Sequence, residues 1–471
     1  MTQRKRTIRS KKETKSAVAR LLEGQRAFFD GGVTRDVDAR LRQLTALRRA
    51  IVAGEREILA ALAADLRKPA YEAYLAEIVF LYHEIDFTMK HLGRWAKPRR
   101  AGAPSILRPS ENFVVPEPYG AALIIGPWNY PFQLTIAPLV GAIAAGNTAI
   151  LKPSELAPAT AKVIADLIGR TFDPEFVAVV TGGVDATTAL LRERFDHIFF
   201  TGGTAVGRII MEAAAKHLTP VTLELGGKSP TIVLADADIE TAARKIAWGK
   251  FINAGQTCLA PDYVLVDERV RTRFVDALGR AIGNFYGDDP QASPDYARII
   301  TTRHFARLRG LMGPHAPRIG GRTDERDRYI APTVIENVPL DDPLMREEIF
   351  GPLLPVLSVG SLDEALGIVR SMSKPLALYL FTGDRAAERR VIRETSSGAV
   401  CVNDVVIHVS NYRLPFGGVG ESGMGAYHGQ YSFEAFSHLK PVMKRTRLFD
   451  MPLRYPPYRG SAMNIVRRIF G

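Results

Sequence analysis

From Ala17 to Trp95 apolar side chains recur at spacings of three and four with charges between them, as in Leu41, Leu44, Leu47 and Ile51, then Ile58, Leu59 and Leu62. That period gathers the apolar positions on one face, so the stretch is predicted to be helical. The pattern breaks over Pro98–Pro118, a Pro-rich stretch holding a strand-like Asn112-Phe113-Val114-Val115. It is too long for a simple loop and reads as an arm reaching another domain or subunit. Short apolar runs then alternate with amphipathic ones. Strands are predicted at Ala121–Ile125, Thr148–Leu151, Val177–Val180, His197–Phe200 and Thr231–Leu234, with helices at Phe132–Ala145, Pro158–Arg170 and Ala205–Lys216. Apolar strands bounded by Gly and Pro and separated by helices indicate a parallel sheet covered on both faces. A second alternation runs from the helical Ile239–Asn253 to about Val402, with strands at Tyr263–Val266, Leu353–Val359 and Leu378–Phe381 and helices at Arg269–Ile282 and Asp363–Ser371.

A chain of 471 residues with this pattern suggests two or three domains of an α/β protein, each with its own core. The longest apolar run, Leu134–Ala145, is too short to span a bilayer and reads as a buried helix. The net charge of +12 would suggest nucleic acid, but its distribution does not. Residues 1–16 carry a net +6 and residues 440–471 a net +7, which leaves the body close to neutral. The tails read as a disordered N-terminal segment and a basic C-terminal one in which Ala462–Phe470 forms a short amphipathic helix. Contact with an anionic membrane surface is the sharper reading of both. Two cysteines, Cys258 and Cys401, exclude a disulfide framework and make a reducing, cytoplasmic setting the default.

The candidate chemistry sits at the ends of predicted strands, where open α/β sheets bind ligands. The turn Gly126-Pro127-Trp128-Asn129 exposes an amide that either donates to a bound oxygen or merely serves the turn. Lys152 and Glu155 follow the next strand and suit a phosphate and a ribose hydroxyl. Thr201-Gly202-Gly203-Thr204-Ala205-Val206-Gly207 joins strand to helix in the manner of a phosphate site, without matching either standard glycine fingerprint. Glu224, between two leucines and ahead of Gly226-Gly227-Lys228, is either a surface carboxylate or a desolvated general base. Cys258, after Gly255-Gln256-Thr257, is either a core thiol or a nucleophile at a helix end. Glu347-Glu348-Ile349-Phe350-Gly351-Pro352 and Pro415-Phe416-Gly417-Gly418 complete the set. No cluster has metal-ligand spacing, and no metal is expected.

In this order the segments resemble the aldehyde dehydrogenase superfamily. Gly255–Tyr263, Val402–His408, Ser422–Gly429 and Leu453–Pro457 are similar to its class 3 branch, which includes fatty, aromatic and coniferyl aldehyde dehydrogenases. The resemblance implies a Rossmann-like cofactor domain (17–97 and 119–223), a second α/β catalytic domain (224–415) and a small β bridging or oligomerisation element (98–118 and 430–450), between basic tails at 1–16 and 451–471. It implies a homodimer. It makes Cys258 the nucleophile, Glu224 the base, and Asn129 with the Cys258 N–H the oxyanion donors. Lys152, Glu155, Thr201, Gly202, Gly203 and Gly207 would hold the adenosine end of the cofactor, and Glu348 and Phe350 the nicotinamide end. The cofactor is expected to be NAD, because Glu155 would meet a 2′-phosphate, with NADP as a second choice. Class 3 relatives often carry Asn where Gly203 stands, so a looser turn is expected here. The implied reaction is oxidation of a hydrophobic aldehyde to its acid through a thiohemiacetal and a thioester. The alternatives are a coniferyl aldehyde substrate, or acyl transfer to coenzyme A, which would not need Glu224. Cys401 has no such company and is expected to be a buried, inert thiol.

Overall fold

The computed structural model describes residues 17–313, 315–448, 450, 454–458 and 460–470. The predicted N-terminal tail, 1–16, lies outside the described residues. The predicted helical start is a helix over 17–30, then Val37–Leu66, a short turn Ala70–Ala73, a π-helical segment Tyr74–Val79 and the helix Phe80–Trp95. Asp36 starts the second of these by accepting the backbone N–H groups of Asp38 and Ala39, and Arg67 ends it in a left-handed conformation.

Two six-stranded sheets carry the fold. The first has the order β16-β7-β6-β3-β4-β5, with β3 Ala121–Ile125, β4 Thr148–Lys152, β5 Val177–Val179, β6 His197–Thr201, β7 Val221–Glu224 and β16 Gly423–Met424. All neighbours are parallel except β16, which runs against β7. Side chains alternate between its faces. Ala122 and Ile124 enter the main core, while Leu123 and Ile125 join a second cluster with Ile150, Ile198 and Phe200. Both faces are therefore buried, as near-continuous apolar strands require. The chain leaves β3 toward β4 and β5 on one side and returns to β6 and β7 on the other. That reversal opens a crevice at the carboxyl ends of β3 and β6.

The second sheet is wholly parallel, in the order β12-β13-β9-β8-β14-β15, with β8 Pro230–Val233, β9 Tyr263–Asp267, β12 Thr333–Glu336, β13 Leu353–Val359, β14 Ala377–Phe381 and β15 Ala399–Val402. The apolar alternation taken alone groups the strand around Thr231 with the first sheet, whereas it lies between β9 and β14 of the second, within the 224–415 span expected from the resemblance. Buried parallel strands read alike whichever sheet they join, and Gly227 (φ +151°) turns the chain between β7 and β8.

The Pro-rich arm forms β1 Arg99–Ala101 and β2 Ser110–Pro118, and β2 pairs antiparallel over nine residues with β17 Ser437–Arg445. A small ribbon, β10 Thr323–Asp324 and β11 Tyr329–Ile330, completes the strands. The C-terminal helix Gly460–Phe470 exposes Met463, Ile465 and Val466 and ends in Arg467 and Arg468. No helix among the described residues is long and apolar enough to cross a membrane.

Candidate active site

The carboxyl edge of the first sheet is level. Ile125 pairs with Lys152 and with Phe200, and Thr201 with Glu224, so the polar strand-end residues open onto one crevice. Gly126 N–H donates to Lys152 O at 3.0 Å and Gly202 N–H to Glu224 O at 3.0 Å, which closes the turns after β3 and β6. A Cβ on Gly202 would lie 2.5 Å from the Phe200 ring, so the turn after β6 needs a glycine there. Gly203 differs: its backbone is extended (φ −76°, ψ 150°) and a Cβ would meet nothing within 4 Å. The turn therefore does not depend on glycine at that position, and an Asn has room.

A cavity of about 540 Å³ runs from Lys152, Glu155, Val184 and Val206 to Asn129, Glu224, Glu348, Phe350 and Cys258. Lys152 Nζ meets Glu155 Oε2 at 2.6 Å, with the lysine buried and the glutamate reaching solvent. Thr201 Oγ1 is buried without a hydrogen-bond partner among the described residues. The helix Thr204–Ala215 points its free N–H groups toward the same space. Cationic, hydroxyl and helix-end donors along an elongated cleft fit a dinucleotide.

Cys258 follows a broken helix. The helix Ile239–Phe251 starts at Asp238, which accepts from Thr241 N–H, and gives way to a tight turn over Ile252–Gly255. Asn253 and Ala254 are left-handed there, with φ of 52° and 51°. Gly255 has φ +74°, and a Cβ on it would lie 2.2 Å from Gly351 O. Gln256 ties the loop down: its Nε2 donates to Asn253 O (2.9 Å) and Arg298 O (3.0 Å), and its Oε1 accepts from Ile300 N–H (2.9 Å). Tyr130 and Thr257 share a hydroxyl–hydroxyl hydrogen bond of 2.8 Å. The thiol is free and partly exposed. Burial of its sulfur pushes its pKa up to about 12, and the carboxylates of Glu348 and Glu224 add to the effect.

Asn129 is buried, with Nδ2 donating to Gln256 O at 3.1 Å. An amide nitrogen has two hydrogens, so one remains for the cavity. Glu224 is buried with neither oxygen partnered among the described residues, and desolvation holds its pKa well above the carboxylate range. Glu348 packs on the Gly226 backbone, where a Cβ would lie 2.0 Å from its Oε2. Burial, with Asp262 adding, raises its pKa to about 8.

Every predicted site residue except Gly207 lines this cavity. Gly207 instead lets the helix approach Leu225, whose Cδ2 would be 2.7 Å from a Cβ. Lys228 and Asp262 have no role evident in the sequence. Lys228 Nζ binds Asp262 Oδ2 at 2.5 Å and the carbonyls of Leu344 (2.9 Å) and Glu347 (3.1 Å), while Asp262 Oδ1 accepts Ile349 N–H at 3.1 Å. That buried pair sets the loop bearing Glu348 and Phe350. Arg307 grips the same loop through Ile349 O, and Trp128 packs edge-on to Phe350 at 5.2 Å and to His304 at 4.8 Å. A lysine after a glycine pair and an aspartate four residues past the cysteine, both in apolar company, were the available signal. Cys401, expected to be buried, is partly exposed in β15 and lines neither cavity described here.

A second cavity, of about 560 Å³, also reaches Cys258. Its wall is mostly apolar, with Tyr71, Leu75, Trp248, Ile252, Phe285 and Ile407. Cys258 and Leu134 line both cavities. The model of the Aldehyde dehydrogenase family matches residues 2–442. The chain belongs to the aldehyde dehydrogenase family.

Mouse aldehyde dehydrogenase family 3 member A2 is 51% identical over 441 residues, which cover 93% of this chain and 91% of that one. The dimeric, NADP-preferring aldehyde dehydrogenase of dog is 48% identical over 444 residues, covering 94% and 98%. The 4,4′-diaponeurosporen-aldehyde dehydrogenase of Staphylococcus aureus is 48% identical over 439 residues, covering 93% and 95%. Among solved structures, Staphylococcus aureus AldH in a substrate-bound state superposes with a TM-score of 0.93 at 45% identity, covering 96% of this chain and 99% of that one. The resemblance seen in the sequence and the fold it implied are borne out. The protein is an aldehyde dehydrogenase, and its cleft suits NAD(P).

Proposed function

We propose that this aldehyde dehydrogenase oxidises hydrophobic aldehydes to free acids at Cys258, with Asn129 and Glu224 as its catalytic partners. The observation carrying this reading is that the Cys258 thiol lines both the cavity that holds Lys152, Glu155, Thr201, Glu224 and Glu348 and a second cavity walled by Tyr71, Leu75, Trp248 and Phe285. A bound oxidised nicotinamide supplies the hydride acceptor, which no side chain provides. The protein's own groups do the rest. The thiol loses its proton to a nearby carboxylate, of which Glu224 and Glu348 are at hand, and sulfur adds to the aldehyde carbon. The Asn129 Nδ2–H and the Cys258 N–H hold the resulting oxyanion. Loss of hydride from that carbon leaves a thioester on Cys258. Glu224 takes a proton from water, whose oxygen attacks the thioester, so that the C–S bond breaks and the acid leaves. Lys152, Glu155, Thr201 and Gly202 hold the adenosine end of the cofactor, and Glu348 and Phe350 the nicotinamide end.

NAD is the preferred cofactor in this reading, supported by the Glu155 carboxylate in the cleft. The protein works as a homodimer in the cytoplasm. The relative named as dimeric and the exposed edge strand β17 support the first, and two free cysteines the second. Its basic tails touch anionic membrane surfaces, supported by the C-terminal helix with exposed apolar residues and two terminal arginines.

The test is a steady-state panel of aliphatic aldehydes of increasing length, with aromatic and cinnamyl-type aldehydes, run with NAD and NADP and with or without coenzyme A. Each buried methylene contributes about 0.8 kcal/mol, so kcat/KM should rise roughly fourfold per added methylene until the apolar cavity is full. NADH should form without coenzyme A and faster than NADPH. Strict dependence on coenzyme A, or a preference for short hydrophilic aldehydes, would overturn the proposal.

A further inference from the structure

The loops bearing Asn129 and Cys258 come from different sheets, and the oxyanion donor must sit within hydrogen-bond reach of an atom bonded to the sulfur's new partner. Something must therefore hold one loop against the other. Asn129, Tyr130 and Asn253 bond directly across the gap, and a second set of side chains, which the reaction itself does not use, braces both loops from one short stretch, Lys68 to Glu77.

Lys68 and Glu77 form an ion pair of 2.5 Å with both side chains wholly buried. Lys68 Nζ also donates to the Asn129 carbonyl at 3.1 Å and lies over the Tyr130 ring at 3.9 Å. Glu77 Oε2 accepts the N–H groups of Phe132 (3.0 Å) and Gln133 (3.3 Å), the open donors that start the buried helix Gln133–Ala145. The pair thus grips the oxyanion turn at both ends. Glu72, between them, turns to the other loop: its Oε1 accepts Asn253 N–H at 2.9 Å. That N–H belongs to the first of two successive left-handed residues, a conformation that costs an L-residue energy unless its surroundings hold it. Asn253 then closes the circuit, its Nδ2 donating to Asn129 O at 2.8 Å and Gln256 O at 3.1 Å. The stretch ends in the π-helical segment Tyr74–Val79, a winding rare enough to mark a local requirement.

We infer that Lys68, Glu72 and Glu77 are positioning residues that clamp the Asn129 loop to the Cys258 loop and so set the oxyanion donor against the nucleophile. The inference rests on the proposal that Cys258 is that nucleophile. Displacement of a reacting group by about an ångström costs up to roughly 100-fold in rate, so the clamp should act on kcat and leave cofactor binding alone.

The test compares Glu72→Leu, which removes the acceptor, Glu72→Gln, which keeps one, and Lys68→Met/Glu77→Gln, which removes the ammonium without leaving a buried charge. Alkylated Cys258 is counted by peptide mass after iodoacetamide, and kcat is expressed per titratable Cys258. Glu72→Leu and the double variant should lose about 10- to 100-fold in kcat per titrated site with unchanged KM for NAD, and Glu72→Gln should recover most of the loss. A lower melting temperature with unchanged kcat per titrated site would show a purely structural role and overturn the inference. Should the double variant not fold, Glu72→Leu, at a partly exposed position on the apolar cavity, decides alone. Cys258→Ala separates the two readings: full activity in that variant sinks the nucleophile, whereas an inactive Cys258→Ala beside fully active clamp variants sinks the clamp only.

Discussion

At the scale of single residues, three buried acids or thiols in one cleft have pKa values displaced upward for the same reason. Glu224, Glu348 and Cys258 are each desolvated; the charge of Asp262 adds to the shift at Glu348, and those of Glu348 and Glu224 to the shift at Cys258. Desolvation therefore favours the protonated form of all three. A general base acts deprotonated, so a pKa raised above the carboxylate range moves the onset of activity to higher pH. Hydrolysis-limited turnover should rise at a higher pH than an ordinary carboxylate base would give, measured as NADH formation against pH. Glu224→Gln should abolish that rise and leave a single burst of NADH per site. An unchanged profile in the variant would remove Glu224 from the mechanism. Lys250 adds to this balance: it is fully buried without a partner for Nζ among the described residues, and burial, opposed by Asp262, lowers its pKa to about 8.

At the scale of elements, the loop after the Ile239–Phe251 helix carries the strain. Two left-handed residues are followed by Gly255, itself left-handed and pressed against Gly351 O. Gly255→Ala should cost at least about 1–2 kcal/mol from the backbone alone, and the contact with the carbonyl should displace Cys258. Gly203→Ala, in extended backbone and open space, is the matched control and should be nearly neutral. Thermal denaturation with parallel activity assays distinguishes them; equal melting temperatures for both variants would contradict the geometry. Motif glycines are thus not equivalent, although they look so in the sequence.

At the scale of the whole molecule, Cys258 lies between two six-stranded sheets, one wholly parallel and one parallel except for β16, and a third, antiparallel sheet completes the set. Its strand β17 has one partner, β2, and exposes Leu439 and Met443. An exposed edge of that length invites a second copy. Light scattering should give twice the chain mass, and Leu439→Asp/Met443→Asp should reduce it. The same sample mixed with anionic vesicles should co-sediment at low salt and be released at high salt, with a chain restricted to 17–457 remaining in the supernatant. A monomer would remove the dimer reading, and equal sedimentation of the shortened chain the membrane reading.

The candidate residues that line the cleft were legible along the chain because each sits in a local signal: a polar group just past an apolar strand, a glycine turn, a cysteine after a helix stop. Most strands and helices were legible too, because burial on both faces or on one imposes its own period. The sheet joined by the Thr231 strand was not legible in the apolar alternation, since parallel strands carry no address, and only the resemblance put it in the second domain. Nor was the clamp: Lys68 meets Asn129 across 61 residues and Glu72 meets Asn253 across 181. In sequence these are ordinary charged positions on helices. Only packing decides that a charge is buried, what it faces and therefore where its proton sits. Sequence alone determined that an amide, a carboxylate and a thiol were available in the order that the resemblance to aldehyde dehydrogenases implies. The tertiary structure decided that they face one cleft, that the thiol also opens on an apolar cavity, and that a buried ion pair holds them there, because those facts depend on contacts between distant segments.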